Sequence, residues 1–225
     1  WAVDETDLAV LDDPQVRLVV AVSPGNPVDI TLEPHLLDRL QHAAQDRPEL
    51  VVLCDYVYAN FMRQQFDNAL LRMPRNVIPF YAPSKDFGLA GSRIGVAWIH
   101  SESPLNRLLH MMSPAASVDF DSLYTTRRPQ HRPSFYERLV MDSSNVSFSH
   151  MAGLSTPNQI LFTLCALYPL VHPADAQDYF DWVRTELAER MSLLYQGLGH
   201  DLGWRQRVSC SNYSTLLSLD EVARA

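Results

Sequence analysis

The sequence predicts an α/β fold built on a mainly parallel sheet, and three observations point there. Val16 to Val22 (VRLVVAV) and Leu50 to Cys54 (LVVLC) are β-branched runs, apolar at almost every position. A strand with one wet face would alternate; strands covered on both faces do not. Segments of helical period lie between such runs, the order of right-handed βαβ crossovers. Side chains fit for chemistry follow directly after the runs, where open parallel sheets bind their ligands.

The elements follow in order. Val16 to Val22 reads as the first strand and is broken sharply by Ser23-Pro24-Gly25-Asn26-Pro27. Glu33 to Gln45 has helical spacing through Leu36, Leu37, Leu40 and Ala44. Leu50 to Cys54 is the second strand, ending at Asp55, and Phe61 to Met73 is moderately helical. Val77 to Tyr81 is a third strand, followed by a loop around Lys85, and Ile94 to Ile99 (IGVAWI) a fourth. Beyond residue 100, Pro104 to Met112 reads as helix. Ser113 to Asn145 is polar and reads as loop, with one helix around Phe135 to Met141. Asn158 to Leu170 is an apolar helix. Ala174 to Leu198 is a long amphipathic helix with Tyr179, Trp182, Val183, Leu187, Met191 and Leu194 on one stripe. Ser214 to Leu219 reads as a strand of another sheet.

Composition narrows the function classes. The 225 residues are 47% hydrophobic and 20% charged, as in ordinary globular chains, with a net charge of −8. The acidic balance argues against nucleic acid and anionic membrane as partners. No apolar run approaches the ~18 residues that span a bilayer. Three widely spaced cysteines, Cys54, Cys165 and Cys210, form no zinc-type pair, so a reduced, cytoplasmic protein is expected. The chain opens on Trp1, without initiator methionine or signal peptide, and both ends read as cut from something longer.

The basic residues single out one position. There are 17 arginines and one lysine, Lys85. A GC-rich genome accounts for arginine bias, but arginine can neither give up its proton nor form a Schiff base, and lysine does both. Asn26 follows the first strand, Asp55 and Tyr58 the second, and Lys85 and Arg93 the third. Taken singly these are a turn residue, a cap, a core phenol, a solvent-facing amine and a surface ion-pair partner. Their conjunction at successive strand ends favours a shared site. Arg127, Arg128 and Arg132 read better as a solvated charge run than as a carboxylate clamp.

These motifs resemble the fold-type I pyridoxal-5′-phosphate enzymes, the aspartate aminotransferase superfamily. Ser23 to Asp29 (SPGNPVD) is similar to that family's Asn-Pro-x-Asn-Pro-Thr-Gly turn, Asp55-Tyr56-Val57-Tyr58 to its Asp-x-x-Tyr, and Ser84 to Arg93 to its Ser-Lys-x-Phe-Gly-x-x-Gly-x-Arg. The resemblance implies pyridoxal 5′-phosphate as cofactor and an amino-acid substrate. It implies that Lys85 joins the cofactor aldehyde and then acts as base at the substrate Cα. Asp55 would keep the pyridine nitrogen protonated. Asn26 and Tyr58 would hydrogen-bond the ring 3-oxygen, and Ser84 and Arg93 would bind the phosphate. The sequence departs from the family pattern at Ala82, where a phosphate-binding serine is usual, at Pro83, at Ser23 and at Asp29.

Asp142 to Gln159 (DSSNVSFSHMAGLSTPNQ) resembles a stretch of the aspartate 4-decarboxylases, which are bifunctional with aspartate aminotransferase activity. It is expected to border the active site near a dimer interface. The implied architecture is a three-layer α/β/α large domain over residues 1–172, a connecting helix over 173–199 and the beginning of a small α+β domain over 200–225. No glycine-containing phosphate loop, stacking aromatic or α-carboxylate arginine of the family is visible. More of the same polypeptide, or a second chain, is therefore expected to complete the site, in a homodimer or higher homo-oligomer. Three readings remain: aspartate decarboxylation with transamination beside it, another decarboxylating or deaminating reaction on the same scaffold, and a non-catalytic fragment completed by a partner.

Overall fold

The computed structural model describes residues 4–62, 75–124, 132–145, 154–199 and 210–216. Among the described residues four strands form one sheet in chain order: β1 (Leu18–Val22), β2 (Val51–Asp55), β3 (Val77–Tyr81) and β4 (Val96–Ala97). The first three are parallel, with Val22 beside Asp55 and Asp55 beside Phe80, so their carboxyl ends form one rim. The expected mainly parallel sheet is therefore present. The fourth strand is only two residues long and runs antiparallel, Phe80 opposite Ala97. It was expected to span Ile94 to Ile99. Trp98 still donates its N–H to Pro79 O, but Ile94 turns inward and is buried.

Helices begin with α1 (Glu5–Leu8), capped by the Asp4 carboxylate, and α2 (Pro34–Asp46). Pro34 opens α2, where its missing N–H is no loss. Its expected stripe, Leu36, Leu37, Leu40 and Ala44, is buried throughout. Leu37, Leu40 and Ala44 pack on Ala21, Val52, Cys54 and Val77 with Leu11 and Leu50, which is the core. Each buried leucine or valine of this set contributes roughly 1.5–3 kcal/mol.

Only one face of β1 takes part. Leu18, Val20 and Val22 on the other face are 54, 66 and 39% exposed. Among the described residues the second helical layer does not extend over them. The helix expected from Phe61 falls mostly outside the described residues; Ala59–Phe61 is a single 3-10 turn.

The second half is helical: α3 (Pro104–Met111), α4 (Pro114–Ser122), α5 (Phe135–Asn145), α6 (Thr156–Val171) and α7 (Pro173–Gly197). α4 corrects the expected loop. It shows no amphipathic stripe, which is why the pattern missed it. Polar contacts hold it instead. Ser113 caps its first turn, accepting from Ala116 N–H at 3.3 Å, and Asp121 pairs with Arg132 at 3.0 Å and with buried Arg138. Arg132 thus holds helices together, while Arg127 and Arg128 lie outside the described residues. On α7 the buried line runs through Ala176, Ala188, Met191 and Ser192. Trp182 and Leu194 of the expected stripe face solvent. Residues 210–216 return to the turn after β1. Ser214 to Leu216 form no strand there, and the rest of the strand expected over Ser214 to Leu219 lies outside the described residues.

Candidate active site at the strand ends

The rim starts with the turn after β1. Gly25 N–H donates to Ile30 O at 2.9 Å, and a Cβ on Gly25 would collide with the Val28 carbonyl oxygen. Only glycine fits that close approach. The turn presents Asn26 outward, and its Nδ2 donates to the Tyr58 hydroxyl at 2.8 Å. Tyr58 is 5% exposed, so its phenol needs that partner. Asn26 and Tyr58 thus meet, as their places at adjacent strand ends suggested.

Lys85 lies on the turn after β3. Its Nζ stands 6.0 Å from the Tyr58 ring centre and 5.3 Å from that of Tyr213. Tyr213 in turn lies 5.0 Å from Tyr58 and stacks on Phe61 at 5.1 Å. The lysine amine therefore sits over an aromatic floor with the Asn26–Tyr58 pair beside it. Sequence reasoning missed Tyr213, and nothing local to it signals a site.

Asp55 ends β2 half-buried. Its backbone oxygen accepts from Ser23 N–H at 3.2 Å, and its Oδ1 accepts from Val57 N–H at 2.9 Å. Among the described residues no hydrogen bond engages Oδ2. Ser84 is half-buried beside Lys85. Arg93 is not gathered in. It adopts a left-handed backbone (φ 50°), is exposed, and donates to Ala90 O at 3.1 Å within its own turn. Among the described residues only its Nη1 is engaged in this way. Asn158 on α6 steadies this turn by donating to Ser92 O at 3.1 Å. Most of the stretch before it, 146–153, lies outside the described residues.

A buried polar cluster backs the lysine turn. Asp86, 2% exposed, accepts from Asn60 Nδ2 at 2.7 Å and from the Tyr81 hydroxyl at 2.6 Å, both through Oδ2. Tyr179 on α7 donates to Asp86 O at 2.5 Å and stacks on Phe87. Arg184, one turn on, donates to Asn60 O at 2.9 Å. Burial pushes the Asp86 carboxyl above the usual carboxylate range, against the pull of its two donors. Burial and the Asp86 carboxylate push the Tyr81 phenol up as well. The cluster fixes the backbone on either side of Lys85, so the amine projects from a rigid base.

The donor set suits an aldehyde cofactor with a ring nitrogen: one amine, a phenol and amide side by side, and a carboxylate at a strand end. No group of three or more histidine, cysteine or acidic side chains suited to a metal occurs among the described residues. No described helix is long and apolar enough to cross a membrane. A groove of about 950 Å³ along α7, lined by Asp181, Arg184, Ala188 and Ser192, includes none of these site residues.

Comparison with known proteins gives a consistent picture. The family model for aminotransferase class I and II matches residues 2–225. A bifunctional aspartate aminotransferase and L-aspartate beta-decarboxylase from Pseudomonas sp. is 34% identical over 224 residues, 99% of this chain and 41% of that protein. Among solved structures, a double mutant of Thermus thermophilus aspartate aminotransferase superposes with a TM-score of 0.59 at 16% identity, over 88% of this chain and 41% of the other. Cystalysin from Treponema denticola, which contains a pyridoxal 5′-phosphate cofactor, gives 0.53 at 14% identity, over 84% and 40%. The chain thus spans about two fifths of the length of these relatives.

Proposed function

Because the chain belongs to the class I and II aminotransferase family, we propose that it is the lysine-bearing part of a pyridoxal-phosphate enzyme acting on an amino acid. One observation carries this reading: the chain's single lysine is held at a strand end over an aromatic floor, beside a hydrogen-bonded Asn26–Tyr58 pair. When bound, pyridoxal phosphate supplies an electron sink for bonds at the amino-acid α-carbon.

The chain's own residues then have separable tasks. Lys85 would bond the cofactor aldehyde and afterwards carry the proton to and from the substrate Cα. Asp55, with Oδ2 unengaged among the described residues, holds a proton on the pyridine nitrogen. Tyr58 and Asn26 hydrogen-bond the ring 3-oxygen. Ser84 and Arg93 would bind the phosphate, Arg93 through guanidinium N–H groups other than the Nη1 that donates to Ala90 O. The Tyr58 and Tyr213 rings beside the amine would restrict the positions it can take.

Aspartate is the proposed substrate and 4-decarboxylation the proposed reaction, with transamination beside it. With the cofactor bound as electron sink, loss of the Cα proton would let the β-carboxylate leave as CO₂. Protonation at Cβ and return of the Cα proton give alanine. The similarity to the bifunctional Pseudomonas protein across 99% of this chain supports this choice. The same reading includes a homodimer or higher homo-oligomer. It also includes a reducing, cytoplasmic setting, in keeping with three cysteines spaced widely along the sequence.

Borohydride reduction of the full-length protein with cofactor, followed by peptide mapping, should leave pyridoxyl on Lys85. Pyridoxyl found only elsewhere refutes the assignment. Incubation with aspartate should release CO₂ and alanine; oxaloacetate alone would reduce the reading to an aminotransferase.

A further inference from the structure

We propose that Asp29 acts through Ser211 to seat Tyr213 as the aromatic wall that fixes the Lys85 amine. Asp29 stands in the turn after β1, where the resembling family ends its motif in glycine. Its half-buried carboxylate accepts from Ser211 N–H at 3.0 Å and from the Ser211 hydroxyl. Burial holds it above the usual carboxylate range, and no cation pairs with it among the described residues. A carboxylate desolvated without a counter-charge is retained at a cost, and here hydrogen bonds from Ser211 offset it.

Those bonds set the course of the chain. Ser211 is 1% exposed, Asn212 turns through a left-handed conformation (φ 58°), and Tyr213 N–H donates to Ser211 Oγ at 3.2 Å. Ser214 Oγ donates to Pro27 O at 3.2 Å, a second tie to the same turn. Held at both ends, the segment lays the Tyr213 ring between Phe61 and Lys85, 5.3 Å from Nζ. Asp29 and Ser211 touch neither Lys85 nor Tyr58 among the described contacts. They are positioning residues, separated from their effect by one link, Tyr213.

The inference rests on Lys85 being the working amine, and its test reads that amine without cofactor. Full-length protein stripped of cofactor is treated with a trace acylating reagent, and modification of the Lys85 peptide is followed by mass spectrometry. Tyr213→Leu keeps apolar contact with Phe61 but removes the ring. It should speed Lys85 acylation about 2- to 5-fold, the range for losing an exposed cation–aromatic contact. Asp29→Ala should give a similar rise and Ser211→Ala a smaller one, since its backbone N–H still reaches Asp29. Tyr213→Phe should match the unmodified protein. The double variant Asp29→Ala/Tyr213→Leu should be no faster than Tyr213→Leu alone, because both act through one ring.

An unchanged rate in Tyr213→Leu overturns the wall. A raised rate there with an unchanged one in Asp29→Ala overturns the latch, as do additive effects in the double variant. A lowered thermal midpoint without a change at Lys85 shows a structural role only and overturns the proposal. Should borohydride mapping place pyridoxyl elsewhere, the acylation series still stands or falls by itself.

Discussion

The two faces of β1 share one sequence pattern and meet opposite surroundings. Val19 and Ala21 look toward α2, where Leu37, Leu40 and Ala44 close a dry core with Val52 and Cys54. Leu18, Val20 and Val22 look the other way and stay open. An uninterrupted apolar strand encodes cover on both faces, and the described residues supply it on one. A sequence thus carries the demands of a whole protein even where a segment satisfies half of them. The α2 face should carry the stability, and the open face should contribute little until something lies on it.

The sharpest way to break this contrast uses Cys54, fully buried on the α2 face, with burial pushing its thiol up to about 11. A thiol reagent at pH 8 should reach Cys54 only through global unfolding, slowing it by orders of magnitude relative to half-buried Cys165. Comparable rates, read by peptide mapping, would show that the α2 face opens locally. Next in size, Leu40→Ala should cost about 2–5 kcal/mol in urea denaturation, since the site is lined by rigid neighbours.

Asp86 tests the same division through pH. Its folded carboxyl holds a proton more tightly than the unfolded one, so the native state binds more protons once pH passes the ordinary value of 3.8. Stability contributed by Asp86 is therefore present at low pH and lost as pH rises through its raised folded value. Asp86→Asn still offers an oxygen to Tyr81 and Asn60, so it should gain on the unmodified protein across that window. A difference independent of pH would remove Asp86 as the source. The smallest effect belongs to the open face: Val20→Thr in the 225-residue segment should stay within about 0.5 kcal/mol. The same change in the full-length protein should cost more if the face is covered there, and light scattering of the segment should show less self-association.

What the sequence made legible follows the physics of each region. The buried runs and the α2 stripe were readable because burial leaves a period, 2 or 3.6, or a conspicuous lack of one. That Asn26, Tyr58 and Lys85 lie near one another was readable because they follow successive parallel strands. α4 was not, since its helix rests on Ser113, Asp121 and two arginines rather than an apolar stripe. The reversal of β4 leaves no mark in two residues. Tyr213 was invisible because its partners are distant in sequence; only Asp29, odd for the motif, pointed to it. Arg93 had the right spacing for an anion site, yet it is exposed and its Nη1 turns back to Ala90 O.

The strand order has a kinetic consequence. Each strand pairs with the one made just before it, Leu18 with Val51, Val52 with Val77, Phe80 with Ala97, and each closure spans fewer residues than the last. Among the described residues no strand waits for a later one to be inserted between it and its neighbour. Loop-closure entropy is therefore largest at the first pairing and shrinks as the sheet grows. The β1–β2 encounter, with α2 closing over it, is where the folding barrier of this sheet should lie, and later strands add to a template already in place.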